Sequence, residues 1–261
     1  MNTDALASPA PDLPAGWRGR GRHALPNLLR RALPAWLLPL LLLAAWWISA
    51  RNGWLPDQVL PAPGAVWNVL TDALRSGEML DNLRISLARV GAGFAVGASL
   101  GLALGLVLGL SPLARDYLGP SFRAFAQVPV LGWMPFLMLL VGIDEALKVL
   151  LIAKAALVPV TLNTWSGVEH VPARYLEVAR VLRFGRWQTL RLVVLPAAFA
   201  PIWTGLRYGF TQAWLALVVV ELLASSEGLG YMIVYGRQLF QLDIVLAAVA
   251  VVGGVGLLLD L

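Results

Sequence analysis

Few side chains in this protein could do chemistry, and their positions limit what that chemistry could be. There is no cysteine in the 261 residues, so a disulfide framework, a thiolate metal site and a cysteine nucleophile are all absent from the chain. The two histidines, His23 and His170, lie far apart in polar segments, which speaks against a histidine metal cluster or triad. Lys148 and Lys154 are the only lysines, and neither sits in the Gly-x-x-x-x-Gly-Lys-Ser/Thr run that cradles nucleotide phosphates. What remains is a set of ionisable groups inside apolar runs, mainly Lys154, Arg207 and Glu221, and one arginine-rich polar segment at 168–196. Nothing pairs a nucleophile with a base, so an enzyme working inside the membrane is disfavoured.

The elements that position these groups follow from composition. Hydrophobic residues make up 59% of the chain and charged ones 13%, against about a quarter charged in a soluble domain. Apolar runs able to cross about 30 Å of hydrocarbon recur at 34–50, 85–110, 118–143, 146–167, 197–223 and from 243 to the end. The expectation is an all-α integral membrane protein with about six transmembrane helices. Residues 1–33, with Arg18, Arg20, Arg22, Arg30 and Arg31, read as a basic disordered tail, and 34–261 as one transmembrane domain. Trp36, Trp46 and Trp47 favour a retained first helix over a cleaved signal peptide.

Several runs carry internal detail. Val66, Trp67, Leu70 and Leu74 form a stripe suited to a short amphipathic helix, lying on the membrane surface or packed on the bundle. Gly93, Gly97, Gly101, Gly105 and Gly109 recur every fourth residue, making a smooth ridge for a close helix partner. Pro120, Pro129, Gly132 and Pro135 interrupt the span at 118–143, which frees backbone carbonyls that lipid cannot satisfy. Pro129 and Pro135 are therefore expected beside the translocation pathway. Lys148 can snorkel, whereas Lys154 lies deeper and is a further pathway candidate. Glu221, near the end of its span, reads either as a gate or as a hydrogen-bonding group inside the bundle.

Alternating six spans with the tail inside puts 111–117 and 168–196 in the cytoplasm and 224–242 outside. The cytoplasmic segments then hold eleven arginines, against Arg51, Arg75, Arg84 and Arg237 outside, as the positive-inside rule requires. Within 168–196, Pro172 can open a helix, Tyr175, Ala179 and Leu182 form an apolar stripe, and Gly185 permits a turn. Trp187, Leu190 and Val194 make a second stripe before Leu195-Pro196 enters the next span. A basic helical hairpin tethered by spans on both sides is unsuited to DNA; it fits lipid headgroups or a cytoplasmic protein. No nucleic-acid partner is expected.

Glu177-Val178-Ala179-Arg180-Val181-Leu182, Gly185-Arg186-Trp187-Gln188-Thr189-Leu190 and Val193-Val194-Leu195-Pro196 resemble the EAA loop of ABC importer membrane subunits. The resemblance runs from about Leu60 to Leu259 and is nearest to permeases for aliphatic sulfonates, taurine and nitrate. It includes Ile85-Ser86-Leu87-Ala88-Arg89-Val90, Gly142-Ile143-Asp144-Glu145 and Gly228-Leu229-Gly230-Tyr231. It implies a type I ABC importer permease fold in the bacterial cytoplasmic (inner) membrane, without catalysis in this chain. It also implies a permease homodimer, two ATPase subunits that hold ATP and Mg, an external substrate-binding protein and no cofactor here. The cytoplasmic coupling loop at 168–196 would contact the ATPase through Glu177, Ala179, Arg180, Leu182, Arg183, Gly185 and Arg186. Two positions depart from the pattern: Val178 replaces an alanine, and Arg183 replaces a glycine suited to a left-handed turn. Either Arg183 tolerates that strain or Gly185 takes over the turn. The competing class is an ion-coupled secondary transporter, which normally shows two related halves; only one proline-broken span is present.

Overall fold

The computed structural model describes residues 24–260, with side chains from 37 to 259, and every regular element among them is a helix. It divides into two units, residues 1–55 and 56–261. The first contains α1 (Ala24–Arg51), which begins at Ala24, so residues 24–33 of the expected tail are helical. Residues 1–23 lie outside the described residues.

The second unit holds α2 (Pro63–Ser76), α3 (Glu78–Leu110), α4 (Pro112–Gln127), a 3-10 turn (Val130–Trp133) and α5 (Met134–Val141). These are followed by α6 (Glu145–Glu169), α7 (Ala173–Val181), α8 (Arg186–Thr189) and a π-helical turn (Leu190–Val194). The last three helices are α9 (Leu195–Ala224), α10 (Leu229–Gln238) and α11 (Leu242–Asp260). Among the described residues, three runs are long and apolar enough to cross a membrane alone: α3, Arg186–Ala224 and Leu242–Leu259. The bent pair of α4 with Val130–Val141 makes a fourth, and the remaining helices are shorter or less apolar.

The centre of this unit is α6, packed along α3 on one side and α9 on the other. Both approaches are made close by glycine. On α3, a Cβ added at Gly93 would lie 2.5 Å from Ile152 Cγ2, at Gly101 3.0 Å from the Leu157 carbonyl, and at Gly105 2.6 Å from Thr164 Cβ. On α9, Gly205 meets Asn163 and Gly209 meets Val160 in the same way. The ridge expected from the sequence is thus the α3–α6 seam, and α6 has a second close seam at Gly205 and Gly209, also four residues apart, which the row on α3 did not announce.

Three boundaries differ from the sequence reading. The turn expected at 111–117 shrinks to Ser111, whose hydroxyl caps α4 by accepting from the Ala114 N–H at 3.2 Å, with Pro112 in the first turn. Residues 224–242 are not all loop, because Leu229–Gln238 is helical. Finally, α3 begins at Glu78; Gly77 (φ 86°) closes α2 and opens α3, and Glu78 and Asp81 complement the helix dipole there. The amphipathic helix α2 packs on the bundle: Val66 is buried and Leu70 and Ala73 pack on the core, while Trp67 and Leu74 are exposed.

The proline-rich span breaks at Val128-Pro129, where the chain bends by 97°. Gly132 N–H bonds the Pro129 carbonyl at 3.0 Å, one residue short of the α-helical partner, so the Val128 carbonyl is released from the ladder.

Candidate functional site

At one end of the bundle, α7, the turn after it and α8 form the hairpin expected from the sequence. Leu176 and Leu190 pack on Val168, Val194 and Ala198, which seats the hairpin on the ends of α6 and α9. The predicted stripe is divided: Ala179 is buried, but Tyr175 and Leu182 point outward together with Val178, Val181 and Trp187. Val181 is 81% exposed and Trp187 68%, so the outer surface is apolar at its tip. Glu177, Arg180, Arg183 and Arg186 are exposed beside it, and none forms an ion pair among the described residues. Of the roles open to Glu177, neither helix capping nor pairing with Arg180 is realised.

The turn itself settles the question raised by Arg183. Arg183 adopts φ 52°, in the left-handed region, whereas Gly185 is extended at φ −68°, ψ 165°. Phe184 N–H bonds the Ala179 carbonyl at 2.9 Å and Arg183 N–H the Arg180 carbonyl at 3.0 Å, the paired bonds of a Schellman motif with arginine at its left-handed position. Gly185 therefore does not take over the turn. It opens α8, with its N–H held by the Gln188 side chain at 2.9 Å. Arg183→Gly should relieve the Cβ strain and stabilise the hairpin by about 0.5–1 kcal/mol. Slower hydrogen exchange at the Phe184 amide is the expected reading, and faster exchange would refute the strain.

From α8 the chain enters the membrane without a break, since Arg186–Ala224 is one helical run. The π-helical turn at Leu190–Val194 lies just before Pro196, whose missing N–H and bulky ring disrupt the regular ladder. Helices α8 and α9 are thus one helical run with the π-helical turn between them.

The opposite ends of α3, α6 and α9 are joined by an ionic cluster. Glu221 of α9 is 1% exposed. Its carboxylate accepts from Arg89 Nη1 at 2.8 Å, from the Ser86 hydroxyl at 2.9 Å and from Gly230 N–H at 2.9 Å. Arg89, 5% exposed, turns its other face to Glu145 with Nε and Nη2 at 2.7 and 2.6 Å, a two-pronged ion pair. Lys148 adds a third ion pair, 2.6 Å from Glu145. The loop before α10 is held by the same groups: Arg89 donates to the Glu227 carbonyl, Ser86 accepts from Leu229 N–H, and Asn82 accepts from Gly228 N–H. Gly228 (φ 105°) and Gly230 leave room for this, because a Cβ at Gly230 would lie 2.5 Å from Glu221 Cβ.

The four pathway candidates are not gathered into one place. Pro129 and Lys154 line a common groove of about 370 Å³ between the break after α4, α6 and α9. The Lys154 ammonium donates to the released Val128 carbonyl and lies 5.4 Å from the Phe125 ring centroid. Pro135 opens α5, exposed and away from that groove, and Glu221 belongs to the ionic cluster.

Residues 97–261 match the profile of the family described as binding-protein-dependent transport system inner membrane component. The chain belongs to this family of ABC importer permeases. An aliphatic sulfonates transport permease of Bacillus subtilis, SsuC, is 41% identical over 224 residues, covering 86% of this chain and 81% of the relative. Its Escherichia coli counterpart is 36% identical, covering 89% and 88%, and the taurine transport system permease TauC of Escherichia coli is 34% identical, covering 84% and 82%. The type I permease fold and the multi-pass inner-membrane location follow, and the secondary-transporter reading is set aside. So do a non-catalytic role and, in general terms, ATPase and substrate-binding partners.

In this permease the residues that the sequence reading missed are Ser86, Arg89, Glu145 and the buried role of Lys148. Lys148 does not snorkel: it is 5% exposed and paired. A signal was present. Arg89 and Glu221 are opposite charges within apolar runs, and such charges seek each other in hydrocarbon. The three motifs quoted for the family resemblance, around Ser86–Arg89, Glu145 and Gly228–Gly230, all converge on Glu221 and Arg89.

Proposed function

We propose that this permease works as a homodimer with two ATPase subunits and an external binding protein, importing a small organic anion. Aliphatic sulfonates are favoured, with taurine and nitrate as alternatives. ATP and Mg sit on the ATPases, and this chain needs no cofactor. The observation carrying the coupling role is the hairpin with an exposed apolar tip continuous with a membrane-crossing helix. Closure of the ATPase pair pushes both hairpins, each push passes along α8 into α9, and the paired permeases turn outward; hydrolysis returns them. The substrate class is supported by similarity to sulfonate and taurine permeases over most of each chain. The arginine imbalance supports a cytoplasmic tail and hairpin.

The test is transport by the whole complex in proteoliposomes, with ATP on the hairpin side and a panel of liganded binding proteins on the other. Uptake with a sulfonate-loaded binding protein is expected; no uptake of any anion from that panel would remove the reading. Glu177→Ala should lower ATPase co-purification, transport or both, while binding-protein affinity stays unchanged. Wild-type pull-down and transport would exclude Glu177 as a coupling residue.

A further inference from the structure

A polar groove is out of place halfway along apolar helices unless something charged or hydrated visits it. Lys154 lies nine residues into α6, about 13 Å along its axis, too deep for a lipid headgroup. Asn163 lies nine residues further along α6, about 13 Å along the axis, and Tyr208 and Gln212 come from the middle of α9. With Val128 and Pro129 of the helix break they line one open groove of about 370 Å³. No aspartate or glutamate is among its lining residues, so Lys154 gives it a net positive charge.

The bonding already present leaves capacity for a guest. Lys154 uses one of three ammonium hydrogens on the Val128 carbonyl. Asn163 spends one amide hydrogen on the Pro159 carbonyl at 2.8 Å, keeping its own carbonyl and second hydrogen. Tyr208 and Gln212 add a hydroxyl and an amide on the facing helix. An ammonium in a groove whose other polar side chains are neutral, with no competing carboxylate, suits a singly charged oxyanion. The helix break has a part in this, since the Val128 carbonyl it releases holds the ammonium at the groove.

We infer that this groove is an oxyanion station within the translocation pathway, where Lys154 takes the charge of the sulfonate-like head of the substrate in transit and Asn163, Tyr208 and Gln212 supply neutral polar groups along its length. The inference rests on the importer reading above and adds the residues that touch the cargo. A purely structural lysine, tying α6 to the broken helix, is the competing account, and charge separates the two.

The experiment uses the full complex in proteoliposomes, with sulfonate uptake and binding-protein-stimulated ATP hydrolysis measured together. Lys154→Gln keeps a donor for the Val128 carbonyl but loses the charge; Gln212→Glu leaves Lys154 alone and adds a repelling charge. Each should lower uptake about tenfold or more, since like-charge contact or loss of a partner costs over about 1.4 kcal/mol. Stimulated ATP hydrolysis and the thermal midpoint should remain near wild type, and Lys154→Arg should restore uptake. Wild-type uptake by either Lys154→Gln or Gln212→Glu, or a fall in uptake matched by a fall in thermal midpoint, would overturn the station. Failure of the wild-type complex to import any anion would instead sink the importer reading.

Discussion

Arg89→Ala is expected to destabilise the bundle by about 3–5 kcal/mol, the range for removing one partner of a buried ion pair. Arg89 is the only cation in contact with Glu221 among the described residues, and Glu221 lies 1% exposed with Ser86 and Gly230 N–H as its remaining donors. Truncation strands that carboxylate and also releases Glu145 and the Glu227 carbonyl. The loss should appear as a lower thermal midpoint in detergent and as poor membrane yield. Adding Glu221→Gln should recover part of it, because the buried charge is then gone while Ser86 and Gly230 still have an acceptor. Lys148→Ala should cost less, since among the described residues Lys148 pairs only with Glu145, whose side chain is 61% exposed and screened by water. A wild-type midpoint for Arg89→Ala would show that the cluster is not what holds this end together.

The cluster also shows which parts of the permease are legible in sequence. Features written in local spacing are readable: the glycine row predicts a close partner, the prolines predict a break, and the hairpin stripes predict two helices and a turn. The row and the stripes depend on residues three or four apart, where helical geometry alone decides proximity, and each proline acts on its own turn. The cluster depends on pairs 56 and 132 residues apart, for which no period exists. Only the cost of lone charges in hydrocarbon could have matched Arg89 to Glu221. The loop before α10 is misleading for a related reason. Gly230 looks like a turn glycine but is small because Glu221 lies against it, whereas Gly228 is required both by its φ of 105° and by Glu221. At Arg183 the sequence shows the conflict without its resolution; the Schellman bonds and the seat on Val168 and Val194 outweigh the strain.

Gly97→Leu is the second substitution expected to have a large effect, and it tests whether the α3–α6 seam can open. Where its neighbours in the row meet side chains as well as main chain, Gly97 meets main chain alone: an added Cβ would run into the Ala153 carbonyl, carbonyl carbon and Cα. A side chain can change rotamer, but a helix backbone moves only as a unit. Here α6 cannot retreat, because on its other side Gly205 and Gly209 hold α9 just as close, and Gly167 presses on Pro201. The cost should therefore reach the upper end of the about 1–3 kcal/mol usual for overpacking, or exceed it, with loss of assembled protein. Gly91→Ala is the matched control, on the same helix but with open space where its Cβ would go, and it should be neutral or stabilising by about 0.5–1 kcal/mol. Thermal midpoints of the two variants, measured in one detergent, give the comparison. Equal midpoints and yields for Gly97→Leu and wild type would mean that α3 and α6 part easily; the motion proposed to pass from α8 to α9 would then not travel as a rigid displacement of the whole α3–α6–α9 layer.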